Sequence, residues 1–409
     1  MMRVGILGHD FINWGGGIDF LRAVASSLAQ ANKTIELHAL LPIHGPRLMA
    51  RNKLRSTYHA ARALLGGKPV SPQQLDGSHV AELASGVESG LTLHAIDIGV
   101  SAIAHAGRKL ALDVVIPAFT PLPDEFQIPW VGYIFDFQHR YFPQHFEPNE
   151  RVKRDRQFSA MLSSARAIIV NARSVADDIA RFHPEARAHV FALPFSAAPQ
   201  PAWLLPGESA APRYGIHRPY FIVCNQFWKH KDHATAFAAF AEFAATHPDV
   251  DLVCTGHTTD YRDPNYFPTL QRSIVRAGIS PRVHILGMVP KGDQIALIKG
   301  ALALIQPTLF EGGPGGGAVY DAVSLGLRCL VSDISVNREL DEPEVAFFAA
   351  GDAAALAESM RRIISESFAT CRNIELLSER GHVRRAACGE QLLAAIAHVR
   401  SSKGHDRQQ

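Results

Sequence analysis

The chain has 409 residues, 47% of them hydrophobic and 20% charged, with a formal net charge of +2. That length exceeds one ordinary domain and predicts about two to three, while the near-neutral charge removes any global argument for nucleic acid. Five cysteines (Cys224, Cys254, Cys329, Cys371, Cys388) are odd in number and widely scattered, which speaks against a disulfide framework or a CxxC metal site and for reduced core residues. No apolar run approaches the roughly 18 residues of a membrane span. The opening MMRVGILGHD has too short an apolar run for a signal peptide, so a cytoplasmic protein is expected.

Arg3 to Gly8 reads as a first β-strand. Gly15, Gly16 and Gly17 form a loop after it, and Phe20, Leu21, Val24, Ala25 and Leu28 give the apolar face of a following helix. Three adjacent glycines alone are a weak sign of a phosphate site. Ile35 to Leu41 is the second strand. Between Arg47 and Lys68 lie Arg51, Lys53, Arg55 and Arg62 and no acid, with Leu54, Tyr58, Ala61, Leu64 and Leu65 near helical spacing. Either this is a solvated helix face packed on its own domain, or a basic amphipathic helix that meets anionic lipid or a lipid-diphosphate-linked glycan.

Further strands are expected at Leu91–Asp97, Leu112–Pro117 and Trp130–Phe135. The last leads into DFQHRYFPQHF, placing Asp136 and His139 at the carboxyl end of a strand, where open α/β sheets bind ligands. A lone histidine is more often structural. The four basic residues within Arg151–Arg156 read as a solvated helix face. Ala167–Asn171 is one more strand, followed by a helix from Ser174. Ser196 to Pro212 holds four prolines and little periodicity, which marks a linker between domains.

Tyr220–Cys224 opens the second half, again strand first, and NQFWKHKDH brings Lys229, His230 and Lys231 directly after it. Asp251–Thr255 and His284–Gly287 are its next strands, the latter running into Met288 and Val289. Leu302–Ile305 is a short buried strand. A loop follows with Glu311 and then five glycines and one proline over Gly312–Gly317. From Ala318, the residues Val319, Ala322, Val323 and Leu325 fall at helical spacing, and Gly326 stands where a helix ends. Leu330 and Val331 open another strand. A glycine loop feeding a helix N-terminus offers backbone N–H groups on the positive end of a dipole, which suits a diphosphate. The plainer reading is a surface turn, and the flanking carboxylates of Glu311 and Asp321 weigh against it. Helical patterns return over Asp352–Ile364 and Val383–Val399, and the tail is polar.

In these residues the chain resembles the retaining, nucleotide-sugar-dependent glycosyltransferases of family 4. The resemblance implies an α/β, GT-B architecture: two facing Rossmann-like doubly wound domains with an interdomain cleft. Residues 1–200 would form the acceptor-side domain, 201–382 the nucleotide-sugar domain, and 383–409 a helix crossing back to the first domain, with the tail. The family signature E-x7-E is departed from. Position 319 is Val, and Asp321 takes the place of the second Glu after a longer loop. The family's Arg-x4-Lys phosphate grip is met by Lys231, but the Arg position holds Gln226, leaving Lys229 to compensate. The segment DFQH, followed by a proline and several aromatics, is similar to the bacterial polysaccharide branch, including its mannosyltransferases.

The resemblance implies a site with His139, Glu311 and Lys231 as catalytic residues. The donor would be bound by Gly16, Gly17, Gln226, Lys229, Lys231, Met288, Val289, Glu311, Gly316, Gly317, Ala318 and Asp321. Asp321 would hold the ribose, and Met288 and Val289 would offer backbone groups to the base. The leaving phosphate would help to deprotonate the acceptor, so no protein nucleophile is expected. No metal or cofactor is expected beyond the donor itself, with GDP-mannose the first choice and a UDP- or dTDP-sugar the alternative. The expected acceptor is a surface-polysaccharide or lipid-linked glycan, with peripheral contact to the inner membrane through residues 47–68. A non-catalytic glycan-binding or scaffold relative is the rival reading, supported by Gln226, Val319 and Asp321.

Overall fold

A computed structural model describes residues 1–11, 16–42, 83, 87, 90–366 and 373–401 of the chain. Gly15, Cys371 and the basic segment 47–68 lie outside the described residues.

The first sheet is built from β1 (Arg3–Leu7), β2 (Glu36–Pro42), β3 (Leu91–Ile96), β4 (Val114–Ala118), β5 (Trp130–Tyr133), β6 (Ala167–Val170) and β7 (His189–Ala192). Its strand order is β3-β2-β1-β4-β5-β6-β7. The second holds β8 (Tyr220–Cys224), β9 (Asp251–Thr255), β10 (Val283–Gly287), β11 (Leu304–Gln306), β12 (Cys329–Ser332) and β13 (Val345–Phe348), in the order β10-β9-β8-β11-β12-β13. Every pairing between neighbouring strands is parallel. Strands such as β4 and β6 are buried along their whole length. Helices cover both faces of such sheets, so these strands read as unbroken apolar runs. The outer strands β7 and β13 are only half-buried over most of their length, and the sequence reading assigns no strand to either.

The helices that matter below are α1 (Gly17–Ala31), α2 (Val100–Lys109), α3 (Pro148–Ser164), α4 (Arg173–Phe182), α5 (His233–Ala244), α6 (Tyr266–Arg276), α7 (Lys291–Gly300), α8 (Gly316–Ser324), α9 (Ala353–Ser365) and α10 (Ile374–Ser401). The sequence places the start of α10 at Val383. Its first turns are mostly polar, with only Leu377 and Gly381 buried, so they carry no apolar period to read. Farther on, α10 packs on α1 so closely that a Cβ on Gly389 would fall 2.1 Å from the Ser27 carbonyl oxygen. Arg380 and Arg384 tie the same helix to Glu342 and Glu344 at the entry to β13, so α10 joins both sheets. The proline-rich stretch 196–212 is not a free tether, because Ala197, Ala210 and Ala211 are buried in one core with β8 and β11. Among the described residues no helix is long and apolar enough to cross a membrane.

The strand order turns back between β1 and β4 in the first sheet, and between β8 and β11 in the second. Open parallel sheets bind ligands beyond the carboxyl ends of the strands at such points. Among the segments that leave those ends are residues 8–11 after β1, residues 225–232 after β8 and residues 307–315 after β11.

Candidate functional site

After β8 the chain makes a single tight turn over Lys229–Lys231 and enters α5 through Asp232, whose side chain accepts a hydrogen bond from the Thr235 amide. The turn sends Lys231 back towards the end of β11. Lys231 Nζ donates to Glu311 Oε1 at 2.5 Å, and Gln306 Nε2 donates to the same oxygen at 2.9 Å. Gln306 is fully buried and receives Asn225 Nδ2 on its own oxygen at 2.8 Å. An ion-paired hydrogen bond from Lys231 and an amide hydrogen bond from Gln306, both to the carboxylate, therefore fix Glu311 on the Oε1 side. Its Oε2 has no hydrogen-bond partner among the described residues.

The glycines have separate tasks. Gly315 and Gly316 sit at φ +71° and +66°, a left-handed path that opens α8. A Cβ on Gly316 would lie 3.1 Å from the Glu311 carboxyl group, so its absence lets Glu311 fold over the helix start. Gly315 N donates to the buried Asn337 Oδ1 at 2.8 Å, which anchors the loop from below. At Gly312 a Cβ would lie 2.5 Å from the Phe135 carbonyl oxygen and 2.9 Å from Asp136 Cβ, and at Gly313 3.0 Å from Asn171 Cβ. The loop after β11 thus presses on the ends of β5 and β6 in the other domain. Around Gly317 nothing stands within 4 Å, and its residue is exposed at the positive end of α8. Ala318 and Val319 are buried. The Val that breaks the E-x7-E pattern is a core residue.

Asp321 is buried on α8, and its Oδ2 lies 2.6 Å from Lys291 Nζ at the start of α7. The same ammonium stands 3.8 Å from Asp19 of α1 and over the Trp203 ring. Lys291 is a cation that the sequence reading passes over, although it lies two residues beyond Val289 at the end of β10. Met288 there is 69% exposed. Gly16 caps α1, and Gly17 is required by packing, since a Cβ on it would fall 1.8 Å from the Phe11 carbonyl oxygen. Gln226 is half-buried and carries no charge into the site. Lys229, expected to compensate, is exposed, and its ammonium lies 3.9 Å from Asp263.

His139 is buried. Its ring is buried among Phe137, Phe146 and Phe158, and Nε2 pairs with Asp155 Oδ1 at 2.8 Å. Burial lowers its pKa despite the pull of Asp155. Asp136, three residues earlier, meets the other domain at Gly312. Burial raises its carboxyl pKa, Arg154 and the Gln138 amide oppose the shift, and the Glu311 carboxylate adds to it. Arg154 is not a purely solvated residue of α3: its guanidinium lies over Phe135 and Phe146 and 3.9 Å from Asp136. Glu339 accepts the amides of Arg173 and Ser174 at 2.9 and 2.8 Å, capping α4 from the opposite domain.

Residues 213–376 match the family described as glycosyl transferases group 1. No curated protein sequence matches the chain. Among solved structures, the chain is similar to sucrose-phosphate synthase from Thermosynechococcus elongatus, with a TM-score of 0.60 at 13% identity over 100% of this chain and 99% of that one. Anabaena HepE in complex with UDP and glucose gives 0.60 at 14% identity, over 97% and 100%. WaaG, a glycosyltransferase involved in lipopolysaccharide biosynthesis, gives 0.54 at 14% identity, over 96% and 98%. The architecture is therefore the α/β GT-B fold of two Rossmann-like domains, and the second of them carries a group 1 glycosyltransferase match.

Proposed function

We propose that the protein is a retaining glycosyltransferase that moves a hexose from a nucleotide sugar to a surface-polysaccharide or lipid-linked glycan. The observation that carries this reading is the pair Lys231–Glu311, set beside the first turn of α8 at the interdomain seam. Transfer needs a neutralised diphosphate, a stabilised oxocarbenium-like sugar and a positioned acceptor. Lys231 and the amides from Gly316 to Ala318 supply positive charge for the diphosphate in place of a metal. Glu311 Oε2 is left to meet the sugar. Met288 and Val289 line the base, Asp321 and Lys291 take the ribose side, and His139 supports the loop carrying Asp136 from behind. Gly16 and Gly17 bring the first domain's loop to the donor.

The donor proposed first is GDP-mannose, on the likeness of the DFQH segment to the mannosyltransferase branch. A UDP-sugar is the second reading, favoured by the UDP complexes of Anabaena HepE. Calorimetry with UDP, GDP and dTDP decides between them, and NMR of the product's anomeric carbon tests retention. Transfer that EDTA abolishes and magnesium restores would remove the metal-free mechanism. The setting proposed is cytoplasmic, with the basic segment 47–68 against the inner membrane. Failure of the protein to sediment with anionic vesicles would remove that contact.

A further inference from the structure

The chain between β12 and β13 belongs to the second domain by sequence and touches both. Val336 is buried in the core that β6, α3 and α4 build in the first domain, with Ile334 packed against it. Asn337, the next residue, is fully buried. Its Oδ1 accepts the Gly315 amide at 2.8 Å, and its Nδ2 donates to the Ser332 carbonyl oxygen at 2.9 Å. Two residues on, in the same tight turn, Glu339 accepts the amides of Arg173 and Ser174 with its two oxygens. The helix it meets has no cap of its own. Ala172 stands at that position in α4, and its methyl group accepts no hydrogen bond, so the free amides at the positive end fall to Glu339. The glycine loop reaches the same place directly. A Cβ on Gly313 would lie 3.0 Å from Asn171 Cβ, and Asn171 is itself fixed by its Nδ2, which donates to Tyr133 Oη at 2.7 Å. Residues 171–174 are therefore held twice from the second domain, once by the glycine loop and once by the turn that anchors that loop.

We propose that Glu339 is a positioning residue that couples the glycine loop to the first domain: through Asn337, the hold on the loop and the cap on α4 are set together. This deepens the glycosyltransferase reading and rests on it, because the ligand of the loop is the proposed nucleoside diphosphate. A diphosphate on the amides from Gly316 to Ala318 fixes the start of α8, and with it the Gly315 amide against Asn337. Asn337 then fixes the turn that carries Glu339, and Glu339 holds α4. The first domain is thereby set against the loaded donor loop by a residue to which the reading gives no contact with the donor. Such coupling is reciprocal. If the nucleotide tightens the cap on α4, the cap must tighten the nucleotide by the same factor.

The test uses the full chain with UDP, GDP and dTDP as probes, and reads calorimetric affinity together with hydrogen exchange of the Arg173 and Ser174 amides. In the parent, a saturating nucleotide is expected to slow that exchange at least about fivefold, the lower end of ordinary coupling. Glu339→Ala should weaken nucleotide binding by the same factor, and its two amides should exchange fast with or without nucleotide. Asn337→Ala keeps the cap but cuts its link to Gly315, so saturating nucleotide should slow exchange in it by no more than about half the parent's factor. A merely structural cap would give exchange that is slow in the parent, fast in Glu339→Ala and indifferent to nucleotide. Exchange in the parent that ignores a nucleotide it binds overturns the coupling alone, and this measurement decides even where a variant does not fold. Parent-like affinity in folded Glu339→Ala, or undiminished slowing in folded Asn337→Ala, overturns it equally. A parent that binds none of the three nucleotides overturns the glycosyltransferase reading and the coupling with it.

Discussion

Lys291 Nζ stands 2.6 Å from Asp321 Oδ2 and 3.8 Å from Asp19 Oδ2, so one ammonium links the helix behind the glycine loop to the first helix of the other domain. Asp321 is expected from the sequence to hold a ribose. In the structure its carboxylate is already oriented, and a ribose would share it with Lys291. Asp321→Ala should weaken binding of the nucleoside diphosphate about tenfold, or about 1.4 kcal/mol. Lys291→Met should weaken it as well, because it leaves Asp321 buried without its cation. The double variant should be little worse than Asp321→Ala, since both changes disable one unit. Calorimetry with the preferred nucleotide measures all three, and parent-like binding by Asp321→Ala would end its ribose role.

Glu311 has two donors on one oxygen and none on the other. Glu311→Gln can still accept from Gln306 or Lys231 while losing the negative charge proposed to face the sugar. Turnover should fall at least about tenfold, about 1.4 kcal/mol of barrier, with the thermal midpoint little changed. Turnover equal to the parent's would take Glu311 out of the reacting site.

The strands that run through the cores were legible because parallel strands are unbroken apolar runs. Tyr220–Cys224 and Asp251–Thr255 are found at the expected residues. The glycine loop was legible too, as the departure of Gly312–Gly317 from any core pattern is local. What the sequence could not show are relations between residues far apart in the chain. Lys291 and Asp321 are separated by 30 positions, Arg173 and Glu339 by 166, and no local pattern joins them. The burial of His139 was hidden for a related reason: its segment reads as a strand-end loop, whereas Phe137, Phe146 and Phe158 pack around its ring. Asp136 meets the other domain at Gly312, as Gln138 does at Arg262 and Tyr141 at Phe310.

Two histidines next to Lys231 give the protein a sensitivity to acid. Burial, with the charge of Lys231 added, lowers His230 to about 2 and His233 to about 3. Both titrate near 6.5 when unfolded. Between those values the unfolded chain binds the extra protons, so folding stability is full above about pH 6.5 and falls as pH drops below it. Each histidine contributes a slope of up to about 1.4 kcal/mol per pH unit. His233 stacks on Phe227 at 4.0 Å in an apolar setting, so a leucine can occupy its place. Urea unfolding of His233→Leu between pH 7 and 5 should show a slope smaller than the parent's by about one proton. An unchanged slope would mean that His233 is not held neutral.

Two glycines of one loop should respond in opposite ways. An alanine at Gly312 would place its Cβ 2.5 Å from the Phe135 carbonyl oxygen and 2.9 Å from Asp136 Cβ, both fixed by the backbone of another domain. The loop must lift to accept it, carrying Glu311 with it. A shift of about 1 Å at a reacting group can cost about 100-fold in rate. Gly312→Ala should therefore lower both turnover and the thermal midpoint. At Gly317 nothing lies within 4 Å of the added Cβ, and alanine favours a helix over glycine by up to about 1 kcal/mol. Gly317→Ala should keep or raise the midpoint. Its methyl group, however, enters the open space where the diphosphate is proposed to lie, so nucleotide binding should weaken at least threefold. Thermal unfolding and calorimetry on the two variants separate the effects. Parent-like nucleotide binding by Gly317→Ala would move the diphosphate away from the start of α8, and an undisturbed Gly312→Ala would mean that the two domains do not meet at Phe135 and Asp136.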